Sequence, residues 1–119
     1  MSPEILQCII QICNFPIIYN TKDSSPKAIK KASRYNYFNK SIRTLDISKH
    51  IEKNPELINK WELFTEDIRH SPAWGFGKND DETWSVAFLN DGELIREFKF
   101  KNKYHACAKM VKMTIESID

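Results

Sequence analysis

Residues 73–101 read AWGFGKNDDETWSVAFLNDGELIREFKFK, and this stretch decides the fold class. Apolar and polar residues alternate within three short runs, at 73–78, 83–89 and 94–100, and acidic turns join the runs. Alternation with a period of two is typical of strands that bury one face. The sequence therefore predicts three antiparallel strands in chain order, with a helix over residues 103–117 directly after them.

The turn at residues 90–92 leaves two registers to choose between. A two-residue Asp-Gly turn would place Phe88 opposite Ile95, whereas a three-residue loop would place Phe88 opposite Leu94. The hydrophobic pattern favours the longer loop, because a shift by one residue would scatter the apolar side chains over both faces. The longer loop collects these residues on one face: Trp84, Val86, Phe88, Leu94, Phe98 and Phe100. Arg96 also lies on that face, where it needs a partner or must extend towards water.

Serine or asparagine followed by proline marks three helix starts before the strands. Ser2-Pro3, Ser25-Pro26 and Asn54-Pro55 each place a capping side chain before a proline at the first helical position. The third of these helices carries an apolar stripe made of Leu57, Trp61, Phe64 and Ile68. This helix and the last one are expected to cover the aromatic face of the sheet.

The connections between these helices are predicted from polar residues and breakers. We expect a polar loop at 21–25, a second helix over 26–38 with Ala32 turned inward, and a short helix capped by Asp46. The predicted fold class is α+β, with N-terminal helices followed by a three-stranded antiparallel meander and a C-terminal helix. Residues 1–119 form a single α+β domain, since this length supports one hydrophobic core.

Charge is unevenly distributed along the chain, although the net charge is only +2. Residues 22–53 contain nine Lys or Arg against three Asp or Glu, whereas residues 54–97 contain four against ten. A chain polarised in this way can present both a basic and an acidic surface.

The cysteines and the isoleucine-rich start indicate a protein of the cytoplasm. Cys8, Cys13 and Cys107 are odd in number and contain no CxxC pair, so a disulfide framework is not expected. Residues 5–18 are apolar but interrupted by polar residues, and they are too short to span a bilayer. We interpret them as a core helix, with no membrane association.

The residue types that carry catalysis or bind metals are not arranged for either task. His50, His70 and His105 lack the spacing of a zinc motif. His105 and Cys107 are two residues apart on a predicted helix and therefore point to different sides. We expect no catalytic residue, no metal and no cofactor, and Cys107 is interpreted as a small buried residue.

Two short motifs of the strand region have a structural and a functional interpretation. Gly75 and Gly77 lie within a strand rather than before a helix, which argues against a phosphate loop and favours a bulge or a close backbone approach. Asp80, Asp81 and Glu82 lack the pattern of a calcium loop. They are either solvated turn residues or part of a surface that steers a protein partner.

The segment 27–43 interleaves cations with aromatic residues, which suits contacts with phosphates and bases. A nucleic-acid-binding accessory protein is therefore the alternative function. The residues that would carry it are Lys27, Lys30, Lys31, Arg34, Tyr35 and Tyr37.

Four features of residues 73–115 occur together: Trp74-Gly75-Phe76-Gly77-Lys78, Trp84 in the next strand, the Asn-Asp-Gly turn, and Phe100 leading into Ala106-Cys107. In these features the region resembles the small immunity proteins of bacterial contact-dependent inhibition and related polymorphic toxin systems. The resemblance implies a cytoplasmic protein that binds and blocks one cognate toxin domain, often a nuclease, through an acidic surface.

The residues predicted to bind such a partner are the carboxylates of the strand region and two apolar anchors. Anchors normally supply most of the binding energy, and charges at the rim mostly raise the association rate. The carboxylates are Asp80, Asp81, Glu82, Asp91, Glu93 and Glu97, and the anchors are Trp74 or Leu89.

Overall fold

The computed structural model describes residues 2–22, 24–67, 73–91 and 93–118. Helices and strands follow in this order: α1 Pro3–Cys13, α2 Phe15–Lys22, α3 Pro26–Ser33, α4 Tyr35–Phe38, a 3-10 turn Asn39–Ser41, α5 Thr44–Lys53, α6 Glu56–Asp67, β1 Ala73–Lys78, β2 Trp84–Asn90, β3 Glu93–Phe100 and α7 Lys103–Ser117. The three strands form one antiparallel sheet in the order β1-β2-β3. The predicted α+β class, the meander and the C-terminal helix are confirmed.

The predicted caps at the first two helix starts are confirmed. The Ser2 hydroxyl accepts a hydrogen bond from the amide of Ile5 at 3.2 Å, and the Ser25 hydroxyl accepts one from the amide of Ala28 at 3.1 Å. Each serine therefore satisfies one of the N–H groups that a helix start leaves without a partner inside the helix.

The connection between the first two predicted helices is helical, so the predicted polar loop at 21–25 is partly wrong. The chain enters α2 at Phe15 after a single turn residue, and Thr21 lies within α2. Pro16 is the second residue of α2, where its missing N–H removes no helical hydrogen bond. The proline that ends one helix thus also suits the start of the next.

The predicted continuous helix over 26–38 is broken at Arg34. This residue has φ 63°, in the left-handed region, and its amide bonds the carbonyl of Lys31. A left-handed residue closes α3 and redirects the chain into α4. As a result Tyr35 is buried, whereas Ala32 is exposed rather than turned inward.

Neither predicted register of the second hairpin is the observed one. Close to the turn Leu89 pairs with Leu94, as a two-residue turn requires, but the next pair is Phe88 with Arg96. Ile95 is therefore the extra residue of a β-bulge, which shifts the pairing by one. The shift restores the aromatic face for the rest of the strand, where Val86 pairs with Phe98. Leu94, predicted to lie in the core, is removed from that face and is 54% exposed.

Helices α6 and α7 cover the aromatic face of the sheet, as predicted. Both helices contact β1, and α7 also contacts β2 and β3. Phe76 and Val86 are buried at the centre of the covered face. Arg96 lies on this face, as expected, and its guanidinium carbon lies 4.9 Å from the centre of the Phe98 ring while the side chain stays exposed. Ile68, the last residue of the predicted α6 stripe, lies outside the described residues.

The N-terminal helices are joined to α6 by an aromatic cluster. The indole N–H of Trp61 donates to the carbonyl of Cys13 at 2.9 Å, and both residues are buried. The rings of Phe15, Trp61 and Phe64 lie between 5.4 and 6.2 Å apart. The hydrogen bond satisfies a carbonyl at the end of α1 that would otherwise be buried without a partner.

The three cysteine thiols are expected to be unreactive in the folded protein. All three are buried; burial raises the pKa of Cys8 to about 11 and raises the pKa of Cys13 and Cys107 still further. The thiolate is the reactive form, so at pH 8 native thiols should react with a disulfide reagent at least roughly 100-fold more slowly than free cysteine. A denaturant should release all three. Rapid reaction of any thiol in the native protein would contradict this burial.

The start of α5 makes stability depend on pH. The amide of Arg43 donates to the Asp46 carboxylate at 3.0 Å, and this hydrogen bond holds the pKa of Asp46 below its usual range. A lowered folded pKa stabilises the fold above pH ~4, and this contribution is lost as the pH falls through the folded value. Asp46→Ala should therefore cost about 0.5–1 kcal/mol at pH 7 and less at pH ~3, where the carboxyl group is partly protonated.

Urea unfolding at both pH values measures this difference, with Glu52→Ala on the exposed side of α5 as the control. An Asp46→Ala penalty of the same size at both pH values would contradict the prediction.

Candidate functional site

The face of the sheet opposite α6 and α7 is the first candidate surface. We call it the open face. Residues that alternate with the covered aromatic side chains form it, and the register places them side by side: Gly75, Gly77, Ser85, Ala87, Leu89, Leu94, Glu97 and Lys99. Small residues therefore fill the middle of this face, and Gly75, Ala87 and Glu97 share one row across the three strands.

The glycines of the open face are not required by packing within the described chain. A methyl group added at Gly77 would meet none of the described atoms within 4 Å, and one added at Gly75 would meet only the carbonyl oxygen of Ala87, at 4.0 Å. The predicted close approach of another backbone is therefore absent at Gly75 and Gly77 among the residues that the structure describes, and the bulge lies in β3 instead.

One end of the open face is apolar and exposed. Leu89, Leu94 and Ile95 are 37%, 54% and 55% exposed, and they adjoin one another at the end that holds the β2–β3 turn. Exposed large apolar residues that occur singly need no explanation, but a cross-strand pair, Leu89 and Leu94, next to a third exposed residue in the chain marks a candidate binding surface. Of these three, the predicted partner-binding residues include only Leu89. Leu94 was predicted to lie in the core, because the bulge that exposes it leaves no signal in the hydrophobic pattern.

The predicted acidic residues do not form one patch. Asp80, Asp81 and Glu82 lie in the β1–β2 turn, and the pair Asp91 and Glu93 lies at the β2–β3 turn. The two turns of a meander are at opposite ends of its middle strand, and the seven residues of β2 span about 20 Å. All five residues are exposed.

Glu97 is the predicted carboxylate that the structure places nearest to the middle of the sheet. It pairs with Ala87 across the strands and is exposed on the open face. The open face thus carries one carboxylate in its central row, with exposed carboxylates beyond both ends.

The β1–β2 turn is held by hydrogen bonds of its own. The Asp81 carboxylate accepts from the amide of Thr83 at 3.1 Å and from the Thr83 hydroxyl, and these bonds hold the pKa of Asp81 below its usual range. The Asn79 side chain donates to the Ser85 hydroxyl at 2.7 Å. Asp81 therefore shapes the turn, whereas neighbouring Asp80 extends to solvent.

The two predicted anchors lie on opposite faces of the sheet. Trp74 is on the covered face, half-buried, with its ring centre 5.0 Å from that of Phe88 and 6.4 Å from that of Phe98. Leu89 is on the open face. A single flat partner surface can therefore contact Leu89 or Trp74 but not both.

The basic segment 27–43 contains both buried and exposed members of the predicted nucleic-acid surface. Tyr35 is only 1% exposed and its hydroxyl donates to the Glu116 carboxylate at 3.1 Å, while Lys30 is 8% exposed and its ammonium donates to the carbonyl of Ile118 at 2.6 Å. These two residues serve the fold, and the expectation that Tyr35 offers its ring to a base is wrong. Four of the predicted residues remain exposed: Lys27, Lys31, Arg34 and Tyr37.

The candidate residues for chemistry are not assembled into a catalytic or metal-binding site. Cys107 is fully buried and burial raises the pKa of its thiol, whereas His105 is exposed on another side of α7. Within the described ranges no group of three or more His, Cys, Asp or Glu residues could hold a metal ion. His70 lies outside those ranges.

No helix in the described part of the chain combines the length and the apolar character that crossing a lipid bilayer requires. The chain was compared with protein-family models, with curated proteins and with solved structures, and none of them matches it.

Proposed function

We propose that this protein is a cytoplasmic immunity protein, which binds one cognate toxin domain through the open face of its sheet and blocks that domain's activity. The observation that carries the proposal is the pair Gly75 and Gly77, where an added methyl group would meet at most one described atom within 4 Å, on the same sheet as three exposed apolar side chains.

Gly75 and Gly77 support the proposal because glycine lowers the stability of a strand and folding alone does not explain its presence here. Glycine in a strand loses more conformational freedom than alanine on folding and weakens the strand by roughly 0.5–1 kcal/mol. Neither Gly75 nor Gly77 has a close neighbour within the described chain that would exclude a methyl group. A partner whose surface lies flat on the strands supplies the missing reason for both residues.

The charge around the open face favours a basic partner. Glu97 lies within the face and Glu93 borders its exposed leucines, while Lys99 is a cation on the same face at the far end. A nuclease domain must present cations where it holds phosphates, so its active site suits a surface of this kind. The apolar cluster would supply most of the affinity and the carboxylates most of the association rate.

The proposal is tested with the C-terminal domain of the protein encoded immediately upstream. That domain, expressed alone in a bacterial host, should stop growth, and co-expression of this chain should restore growth. Titration of the purified domain should show a one-to-one complex. A domain that is harmless, or that stays toxic beside a stable copy of this chain, would rule the proposal out.

Gly77→Val separates folding from binding. Because the position is open and its backbone is not left-handed, valine should raise strand stability by up to about 1 kcal/mol while its branches hold a partner away from the sheet. We expect the melting temperature to stay equal or rise and the dissociation constant to increase at least about tenfold. Ala32→Val, on the exposed side of α3, is the control and should leave the affinity unchanged. Unchanged affinity in Gly77→Val would remove the open face as the binding site.

Charge reversal tests which end of the sheet faces the partner. Glu93→Lys with Glu97→Lys and Asp80→Lys with Glu82→Lys change the net charge equally. The first pair lies at the β2–β3 turn and in the middle of the open face, and the second pair lies in the β1–β2 turn, about 20 Å from Glu93. The first pair should slow association several-fold, more than the second, and salt should reduce the difference because charges are screened over about 10 Å at 0.1 M. Stopped-flow association rates measure this. A larger effect of the second pair would place the partner at the β1–β2 turn instead.

A further inference from the structure

A second surface with different chemistry lies on α3 and α4. A groove of about 420 Å³ runs along these helices. We call it the basic groove, and it is lined by Lys27, Lys30, Lys31, Arg34, Asn36 and Tyr37. Four of its six lining residues are cationic and none is acidic, so the groove favours an anionic ligand.

The cations of the groove divide into one that is fixed and three that are available. The Lys30 ammonium is held by the carbonyl of Ile118, so it contributes positive charge from the floor of the groove. Lys27 and Lys31 are exposed one turn apart on α3. Arg34 is also exposed, and its guanidinium makes one ion pair, at 3.4 Å with Glu4, in which both side chains stay more than half exposed. An exposed pair of this kind is weak and can give way to a phosphate.

An exposed aromatic ring completes the groove. Tyr37 is 76% exposed, more than any other large apolar or aromatic side chain that the structure describes. Its ring is oriented by Phe38, at a centre-to-centre distance of 4.7 Å with the rings nearly perpendicular, and by the guanidinium carbon of Arg34 at 5.0 Å. The same carbon lies 5.1 Å from the Phe38 ring. Tyr37 is thus supported from the protein side and open on the other.

We propose that the basic groove binds single-stranded nucleic acid, with backbone phosphates on Lys27, Lys31 and Arg34 and one base stacked on Tyr37. Phosphates need the cations, and a stacked base is the ligand group that uses an exposed, supported ring. An acidic peptide would use the cations but leave Tyr37 without a role. The volume is at the small end of ligand sites, which suits one or two nucleotides of a strand rather than a duplex.

The inference does not depend on the proposed inhibition of a toxin. Helix α3 packs on α1, α2 and α4, whereas the sheet is covered by α6 and α7. A variant of one surface therefore leaves the other intact, and each binding activity can fail without the other.

The experiment measures fluorescence anisotropy of a labelled oligouridine of about ten nucleotides, titrated with the intact chain. With three phosphate contacts, the affinity should fall about 20-fold between about 50 and 200 mM salt. Tyr37→Ala should weaken binding about five- to 100-fold, because stacking on the ring is lost. Lys27→Glu with Lys31→Glu should lower the salt dependence as well as the affinity.

The matched control is Lys60→Glu with Lys101→Glu, which makes the same change in net charge at exposed positions outside the groove. These substitutions should reduce the affinity far less than the pair on α3. Equal losses in the two pairs would mean that only net charge attracts the strand, and the proposal would fail.

Two further outcomes would also overturn it. One is polyglutamate displacing the oligonucleotide as well as unlabelled oligouridine does, which would indicate an acidic peptide site. The other is Tyr37→Ala binding with unchanged affinity while its melting temperature matches that of the parent chain.

Discussion

The structure depends on the burial of α7 on more than one side. Seven of its fifteen residues are buried: Ala106, Cys107, Ala108, Met110, Val111, Thr114 and Ile115. The helix contacts all three strands, and it also packs on α5, α6 and α1. Because small side chains at Ala106, Cys107 and Ala108 allow close packing, α7 can join the sheet and the N-terminal helices into one core. The described chain places both of its sheet-covering helices on the same face, and the other face of the sheet stays open as a direct result.

The same helix also organises the basic side of the molecule. The carbonyl of Ile118, at the end of α7, accepts a hydrogen bond from the Lys30 ammonium, and the Glu116 carboxylate accepts one from the Tyr35 hydroxyl. The Lys112 ammonium donates to the same hydroxyl and to the carbonyl of Ile42, each at 3.2 Å. These bonds take Tyr35 and Lys30 out of the solvent and leave Tyr37 and its neighbours outside. Contacts with α7, which is distant in the chain, therefore decide which residues of the basic segment are buried and which stay exposed.

The sequence predicted the elements well and their long-range arrangement less well. Caps at Ser2 and Ser25 and the alternation of the strands are local, so they can be read without the fold. The helix breaks at Arg34, which adopts a left-handed conformation although it is not glycine. Local preference disfavours this conformation, and the tertiary fold overrides that preference. The register of β3 depends on a bulge at Ile95, and no residue type identifies a bulge in advance. The acidic residues were predicted to form one surface, although the predicted meander already puts successive turns at opposite ends of the sheet. Leu94 was predicted to lie in the core because the predicted register did not include this bulge.

The bulge at Ile95 divides β3 into two parts that differ in how readily they can accept changes in sequence. From Arg96 to Phe100 the strand pairs with β2 in a register that the buried Val86 and its neighbours enforce. Between the bulge and the turn, a residue gained or lost can be absorbed by reshaping the bulge, so the aromatic side chains beneath the sheet need not move. The tip of the hairpin can therefore change its sequence while the interior stays the same. The exposed end of the proposed binding surface and the residues that hold the sheet on its core thus lie in adjacent but separable segments of a single strand.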